Sequence, residues 1–324
     1  MTQILDGKAL NEKIAQKLKA EISRLETLWA RPPVPENFRF GEGPLGRRPK
    51  LVIIQVGDLT ESNVYIGRKV KFGEKVGAVV DHKKFDNGID KTSLITHISS
   101  LNTDPMTHGV IVQMPLPKHI DKDEIIDSID PAKDVDGLTS RNLKLLWEAK
   151  GEGFIPATTK GVISLLDEYK IPIEGKHVVV VGRSFLVGKP TFLAFLNRDA
   201  TVTVCHSHTK NLAQITKSAD ILVVAAGKPN LIGKEHVSKN QIVVDVGINA
   251  IEQVEQGPSL KTGTQLQELQ GRSLPNSPKL VGDVNFEEVS KIVKAISPVP
   301  GGAGPMTVAS LFENLLEAYN SQSS

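Results

Sequence analysis

The strongest constraint on this chain is an alternation that runs along it twice: short, β-branched apolar runs, each closed by a turn and followed by a stretch with helical spacing. The first series contains "KLVIIQVG" (50–57), "SNVYIGRKVKFGEKVG" (62–77), "VVDHKKF" (79–85), "KTSLITHISSLN" (91–102) and "GVIVQMPLP" (109–117). The second starts near "TTKGVISLLDEY" and has the runs "HVVVVG", "TVTVCH", "DILVVAAG" and "QIVVDVG". Strands covered on both faces read as continuous apolar runs, and parallel neighbours need helical crossovers, so the pattern specifies parallel sheets with helices packed on them. An α/β chain of 324 residues is long enough for two domains and a cleft between them.

The flanks fit this frame. Leu10, Ile14, Leu18, Ile22 and Leu25 recur at helical spacing and predict an amphipathic first helix. Asp121 is placed to cap a helix in "DKDEIIDSI", and "DPAKDVDGL" reads as a loop. Pro- and Gly-rich residues 29–49 form one loop excursion, and Gly-, Ser- and Gln-rich residues 252–278 form a second, hairpin-like one. The chain closes with the stiff loop "SPVPGGAGP" feeding an apolar helix.

Lys and Arg number 39 against 37 Asp and Glu, a net charge of +2 that argues against nucleic acid as a partner. The single cysteine, Cys205, excludes an internal disulfide framework and a cysteine-rich metal site, and fits a reducing compartment. No apolar run approaches the roughly 18 residues of a membrane span, and the first residues have the acids Asp6, Glu12 and Glu21 that targeting peptides lack. The expectation is a cytoplasmic chain with no membrane partner and no metal.

In "VVVVGRSFLVGKP" (178–190) an apolar strand meets a turn. A G-x-G-x-x-G fingerprint puts glycines at 182, 184 and 187, whereas this chain has Gly182, Ser184 and Val187, with a glycine displaced to Gly188. "LVGKPTFLAFL" is expected to begin a helix whose first amides face a diphosphate, with Pro190 in the first turn. Roughly 20 residues on, where an acid would bind the ribose hydroxyls of NAD, stand His206, Ser207 and His208. No Asp or Glu follows that strand, and with Arg183 in the loop this favours the 2′-phosphate of NADP over NAD. On these residues alone an ordinary strand-to-helix turn with a solvated arginine stays open.

Taken in order, "SNVYIGRKVK", "GVIVQMPLP", "KDVDGL", "GRSFLVGKP", "TVTVCHSHT", "VVDVGIN", "LVGDV" and "SPVPGGAGPMT" resemble the methylenetetrahydrofolate dehydrogenase/methenyltetrahydrofolate cyclohydrolase family. The likeness covers nearly the whole chain outside the two excursions. It implies a homodimer that oxidises 5,10-methylenetetrahydrofolate with NADP and hydrolyses the methenyl product to 10-formyltetrahydrofolate. The implied fold is two-domain α/β: residues 1–155 and 298–324 bind tetrahydrofolate one-carbon substrates, completed by the C-terminal helix, and 156–297 form a Rossmann-like NADP-binding domain.

The resemblance implies Tyr65 and Lys69 as a pair facing the one-carbon unit, and spacing of four residues does put them on one helix face. An apolar pocket and a cationic substrate lower a lysine's pKa, which suits Lys69 to acid–base work around the attacking water. By resemblance Gln113 tunes that lysine, and Asp136 binds the pterin ring, although Asp134 competes as a loop cap. Pro300 and Gly301 fall on the substrate side. Thr158, Gly182, Arg183, Ser184, Gly188, Ser207, Gly227, Ile248 and Thr307 fall on the cofactor side, with Arg183 and Ser207 at the 2′-phosphate. His206 and His208 receive no role. Where the family often has "PCTPxG" this chain has "PATTKG", so Ala157 and Thr159 depart from it and Thr158 is the less secure contact. Three alternatives stand: a dehydrogenase without cyclohydrolase activity, a nucleotide-binding regulator on the same scaffold, and a shikimate-dehydrogenase-like oxidoreductase.

Overall fold

The computed structural model describes residues 1–29, 48–251 and 279–322, so residues 30–47 and 252–278 of the two excursions lie outside the described residues. In chain order the first half is β1 (Gln3–Ile4), α1 (Gly7–Trp29), β2 (Lys50–Val56), α2 (Thr60–Val76), β3 (Val79–Phe85), α3 (Lys91–Thr103), β4 (Gly109–Val112), α4 (Lys122–Asp127) and α5 (Ser140–Trp147). The second half begins with α6 (Ala157–Glu168), β5 (His177–Val181), α7 (Gly188–Leu196), β6 (Thr201–Cys205), α8 (Leu212–Lys217), β7 (Ile221–Val224) and β8 (Ile242–Asp245). It ends with β9 (Asn249–Ile251), β10 (Lys279–Val281), α9 (Phe286–Val289), β11 (Ala295–Ile296) and α10 (Ala303–Gln322).

Two parallel sheets result, ordered β3-β2-β4 and β1-β11-β8-β7-β5-β6, so this is a mixed α/β chain as the alternation predicts. A separate antiparallel pair, β9 with β10, flanks the second excursion. Central strands are covered on both faces: Leu51, Val52, Ile53 and Ile54 of β2 are each 0% exposed. Leu51 and Ile53 join a core that runs through α1, α6 and α10 to Val178 and Val180 of β5. The two sheets therefore share one helical layer, in which each buried Leu, Ile or Phe contributes about 1.5–3 kcal/mol. Phe312 of α10 packs on Phe72 of α2 with ring centroids 5.2 Å apart. Gly161 lets α6 approach α10 closely, because a Cβ there would sit 2.9 Å from the Met306 carbonyl carbon. Asp121 caps α4 by accepting from the amides of Asp123 and Glu124.

One difference from the sequence reading concerns the first residues. β1 pairs with β11 on the larger sheet, through Gln3 N to Lys294 O and Leu5 N to Ile296 O, each 2.9 Å. Residues 3–4 thus leave the rest of 1–155 and cover an edge of the other sheet, where open strand backbone would otherwise face solvent. A two-residue strand has no period to read.

Candidate active site

Between the sheets lies a cavity of about 370 Å³ whose polar wall comes from three elements. α2 presents Tyr65 and Lys69 from one face, Gln113 is the first residue beyond β4, and Asp136 sits in the loop before α5. The Gln113 amide donates to Ile54 O at 2.8 Å, continuing the β2–β4 ladder. Asp134 anchors that loop. It is 1% exposed, its Oδ1 accepts from Gly137 N at 3.0 Å, and its Oδ2 accepts from Thr139 N at 2.7 Å and Asn142 Nδ2 at 2.9 Å. With Asp134 so engaged, Asp136 is the carboxylate that lines the cavity.

Lys69 Nζ donates to Gln113 Oε1 at 3.0 Å, and Gln113 Nε2 donates to Met114 O at 2.9 Å, which fixes the amide with its oxygen toward the lysine. Burial holds the Lys69 ammonium below the ordinary lysine range, while the nearby Asp136 carboxylate pulls it back up. Burial likewise pushes the Asp136 carboxyl up, against the opposing pull of Lys69, with Asp134 adding a further upward push. Desolvation weakens the charged form of both groups, so the pair is suited to exchanging a proton with a ligand. Arg68 stacks over the Tyr65 ring with Cζ 5.6 Å from its centroid, which helps to orient the phenol.

A second cavity of about 490 Å³ shares Arg68, Ile248, Gly304 and Val308 with the first. Pro300 and Gly301 line it, and Lys8 and Lys71 make its rim basic, while Lys75 there is paired with Glu12. Gly301 has φ +123°, and its carbonyl accepts from Lys8 N at 3.0 Å. Asp245, at the end of β8, also lines this cavity and is 2% exposed. Burial pushes its carboxyl up to about 7, against backbone amides of Val284, Asp283 and Gly247 that favour the charged form.

The remaining predicted positions lie at the carboxyl ends of the larger sheet, where ligands of open α/β sheets bind. Gly182 N donates to Cys205 O at 2.9 Å, so Arg183 and the turn His206–Ser207 follow adjacent strand ends. Arg183 and Ser207 are exposed, and Arg183 has no ion pair or hydrogen bond among the described residues. Gly182 has φ +133°, and a Cβ on it would lie 2.2 Å from Ala225 O; one on Gly188 would lie 2.4 Å from Gly182 O. The close approach that a fingerprint's third glycine permits thus falls on Gly188, in a loop one residue longer.

The helix-start amides correct the sequence reading, which left them free for a diphosphate. Ser184 Oγ accepts from Val187 N and Gly188 N at 3.2 Å each, and Ser184 O accepts from Lys189 N at 3.0 Å. The longer loop folds the serine back over the start of α7. Its hydroxyl hydrogen stays available as a donor, since a hydroxyl accepts and donates at once.

Thr158 and Thr307 meet on the catalytic cavity, where Thr307 Oγ1 donates to Thr158 Oγ1 at 3.5 Å. Of the departures beside them, Ala157 is 1% exposed and lines the same cavity, whereas Thr159, 0% exposed, lies with Oγ1 3.1 Å from Oγ1 of Thr191 in α7. His206 and His208 serve their own turn, through His206 N to Thr209 Oγ1 at 2.8 Å and His208 N to His206 Nδ1 at 3.2 Å.

Tyr65, Lys69, Gln113, Asp136, Thr158 and Thr307 therefore converge on one cavity, with Ile248 in the wall shared with Pro300 and Gly301. Gly182, Arg183, Ser184, Gly188, Ser207 and Gly227 stand outside both cavities, beyond the carboxyl ends of β5, β6 and β7. The sequence reading missed Arg68, although it lies inside "YIGRK", and Asp245, whose signal was a lone acid in an apolar run.

A family model described as tetrahydrofolate dehydrogenase/cyclohydrolase, NAD(P)-binding domain, matches residues 156–323, and its companion for the catalytic domain matches residues 5–136. The bifunctional protein FolD of Hydrogenobaculum sp. is 41% identical over 317 residues, 98% of each chain. The crystal structure of the bifunctional FolD methylenetetrahydrofolate dehydrogenase/cyclohydrolase of Campylobacter jejuni superposes with TM-score 0.84 at 39% identity, over 99% of each chain. That of the Trypanosoma brucei methylenetetrahydrofolate dehydrogenase-cyclohydrolase, complexed with NADP cofactor and inhibitor, gives TM-score 0.84 at 32% identity, over 99% of this chain and 98% of that one.

Proposed function

This chain belongs to the tetrahydrofolate dehydrogenase/cyclohydrolase family, and from that premise we infer two consecutive reactions in its joined cavities. They are NADP-dependent oxidation of 5,10-methylenetetrahydrofolate to the methenyl cation and hydrolysis of that cation to 10-formyltetrahydrofolate. The observation that carries the reading is the convergence of Lys69, Gln113 and Asp136, one of them hydrogen-bonded and one electrostatically coupled to the lysine, in a cavity also lined by Thr158 and Thr307.

Each side chain then has a task. Asp136 accepts N–H bonds from the pterin, and Tyr65 and Gln113 hold the substrate against Lys69. Lys69 moves a proton to and from the attacking water, a contribution of about 10²–10⁴-fold in rate. Gln113 holds Nζ on the cavity side. Pro300 and Gly301 approach the substrate through backbone, and Lys8, Lys71 and Arg68 face the carboxylates of its glutamate tail.

The residues present fit NADP. Gly182 and Gly188 allow the close turn, and exposed Arg183 and Ser207 follow neighbouring strand ends with no acid beside them. When bound, NADP supplies the hydride acceptor. Arg183 and Ser207 would hold its 2′-phosphate, Ser184 its ribose or diphosphate, and Gly227, Ile248, Thr158 and Thr307 its nicotinamide side. The oxidation asks no proton of the protein, only placement of the reacting atoms about 3–3.5 Å apart.

A dehydrogenase lacking hydrolysis is the alternative. The Lys69–Gln113 pair argues against it, because oxidation alone has no use for a positioned proton carrier. We divide the chain into 1–155 with 298–324, and 156–297: α10 packs on α1 and α2 of the first part, although it packs still more extensively on α6 of the second, and β1 is exchanged onto the larger sheet. The working form in this reading is a homodimer, which sedimentation equilibrium tests, in the cytoplasm, the compartment with which a single free, buried cysteine is consistent. The reactions themselves are tested by adding methylenetetrahydrofolate with NADP or NAD and following reduced nicotinamide and methenyl absorbance together.

A further inference from the structure

"VVDVGIN" and "LVGDV" each place a lone aspartate in an apolar run, and the structure puts the two side by side. Asp283, 0% exposed, follows β10. Its Oδ2 accepts from Ala226 N at 2.6 Å and Gly227 N at 2.8 Å, and its Oδ1 accepts from Lys228 N and Asn249 Nδ2, both at 2.9 Å. Three successive amides of the loop after β7 therefore close on one carboxylate. Gly227 needs that hold, since its φ of +64° is left-handed and a Cβ there would meet nothing within 4 Å. On the other side Gly247 lies against the carboxylate, where a Cβ would be 2.2 Å from Asp283 Cγ. Asp245 completes the brace by accepting from Asp283 N at 3.1 Å.

We propose that Asp283 is a positioning residue for the oxidation step: its buried carboxylate sets the loop carrying Gly227 against the segment carrying Ile248, and hydrolysis does not use it. The proposal rests on the reading above, in which those two positions flank the nicotinamide. Asp283 touches neither substrate nor cofactor in this scheme. A carboxylate is required because all four neighbours are donors. An amide of the same shape would turn an N–H group toward at least one of them, which leaves a partly buried donor facing another donor.

The test uses Asp283→Asn in the full chain and reads both activities of the same preparation. The expected result is a loss of about 50-fold in dehydrogenase kcat/KM for NADP, with hydrolysis of added methenyl substrate, measured without nucleotide, within about threefold of the parent. Asn249→Ala, which removes the side-chain donor to Asp283 together with its longer 3.5 Å bond to Val281 O and keeps the three backbone donors, should give the same split at about fivefold and guards against misfolding of the first variant. Parallel loss of both activities in Asn249→Ala, or unchanged NADP kinetics in Asp283→Asn, overturns the proposal. Arg183→Ala is the control for the underlying reading: if it weakens NADP while Asp283→Asn does not, the positioning role alone fails.

Discussion

Lys69 Nζ and Gln113 Oε1 are joined by a 3.0 Å hydrogen bond, while Asp136 acts on the same lysine through its charge. The two neighbours do different work. Gln113 fixes where the nitrogen is, and Asp136 opposes the burial that lowers its pKa.

Removing that charge has a direction. In Asp136→Asn the upward pull on Lys69 is lost, so the lysine deprotonates at lower pH. If neutral Lys69 is the base, the rising limb of hydrolysis kcat against pH moves to lower pH, after subtraction of the uncatalysed rate. An unmoved limb, or one displaced to higher pH, contradicts the coupling.

Arg183→Ala should weaken NADP far more than NAD, because only the 2′-phosphate needs the guanidinium. A charge-assisted contact of about 1.5–3 kcal/mol corresponds to roughly 10–150-fold in the KM for NADP. Initial-rate kinetics with both nucleotides decide it, and equal losses would mean that the loop holds something else.

Gly188→Ala should raise the KM for NADP without weakening hydrolysis. Its Cβ would meet Gly182 O at 2.4 Å and Arg183 Cα at 2.7 Å, both backbone, so the turn must open and take Arg183 with it. Nucleotide binding measured by fluorescence, beside hydrolysis without nucleotide, separates this from general damage.

His108 makes stability depend on pH. It is 0% exposed, its Nδ1 accepts from Lys50 N at 3.0 Å, and burial pushes its pKa down to about 4, with Lys133 lowering it further. A group depressed in the folded state binds its proton first in the unfolded one. Its stabilising effect is therefore complete above the unfolded value of about 6.5 and is lost as pH falls toward 4. Urea titrations at pH 7 and pH 5 should show the loss, which His108→Gln should largely remove. An equal loss in the variant would assign it to other groups.

Much of this was legible because periodicity survives in both sheets. "LVII" and "VVVV" are buried on both faces and read as such, and Tyr65 and Lys69 share a face by spacing alone. What escaped has no local period. β1 is two residues long and finds its partner, β11, nearly 300 residues away. The resemblance names Asp136, and the amides of Gly137 and Thr139 that engage Asp134 supply the physical reason. The displaced Gly188 looked like a defect in a motif, and only the approach of Gly182 O explains it. Asp245 and Asp283 were visible as acids in apolar runs, yet which amides they bind is a matter of tertiary contact.

The most direct measurement of the central assignment is hydrolysis of added methenyltetrahydrofolate by Lys69→Met, set beside its affinity for NADP. The expected result is a loss of at least about 10²-fold in hydrolysis, the lower end of what a positioned acid–base group supplies, with the NADP Kd within about twofold of the parent. Hydrolysis at the parent rate would contradict the assignment of Lys69 as the proton carrier.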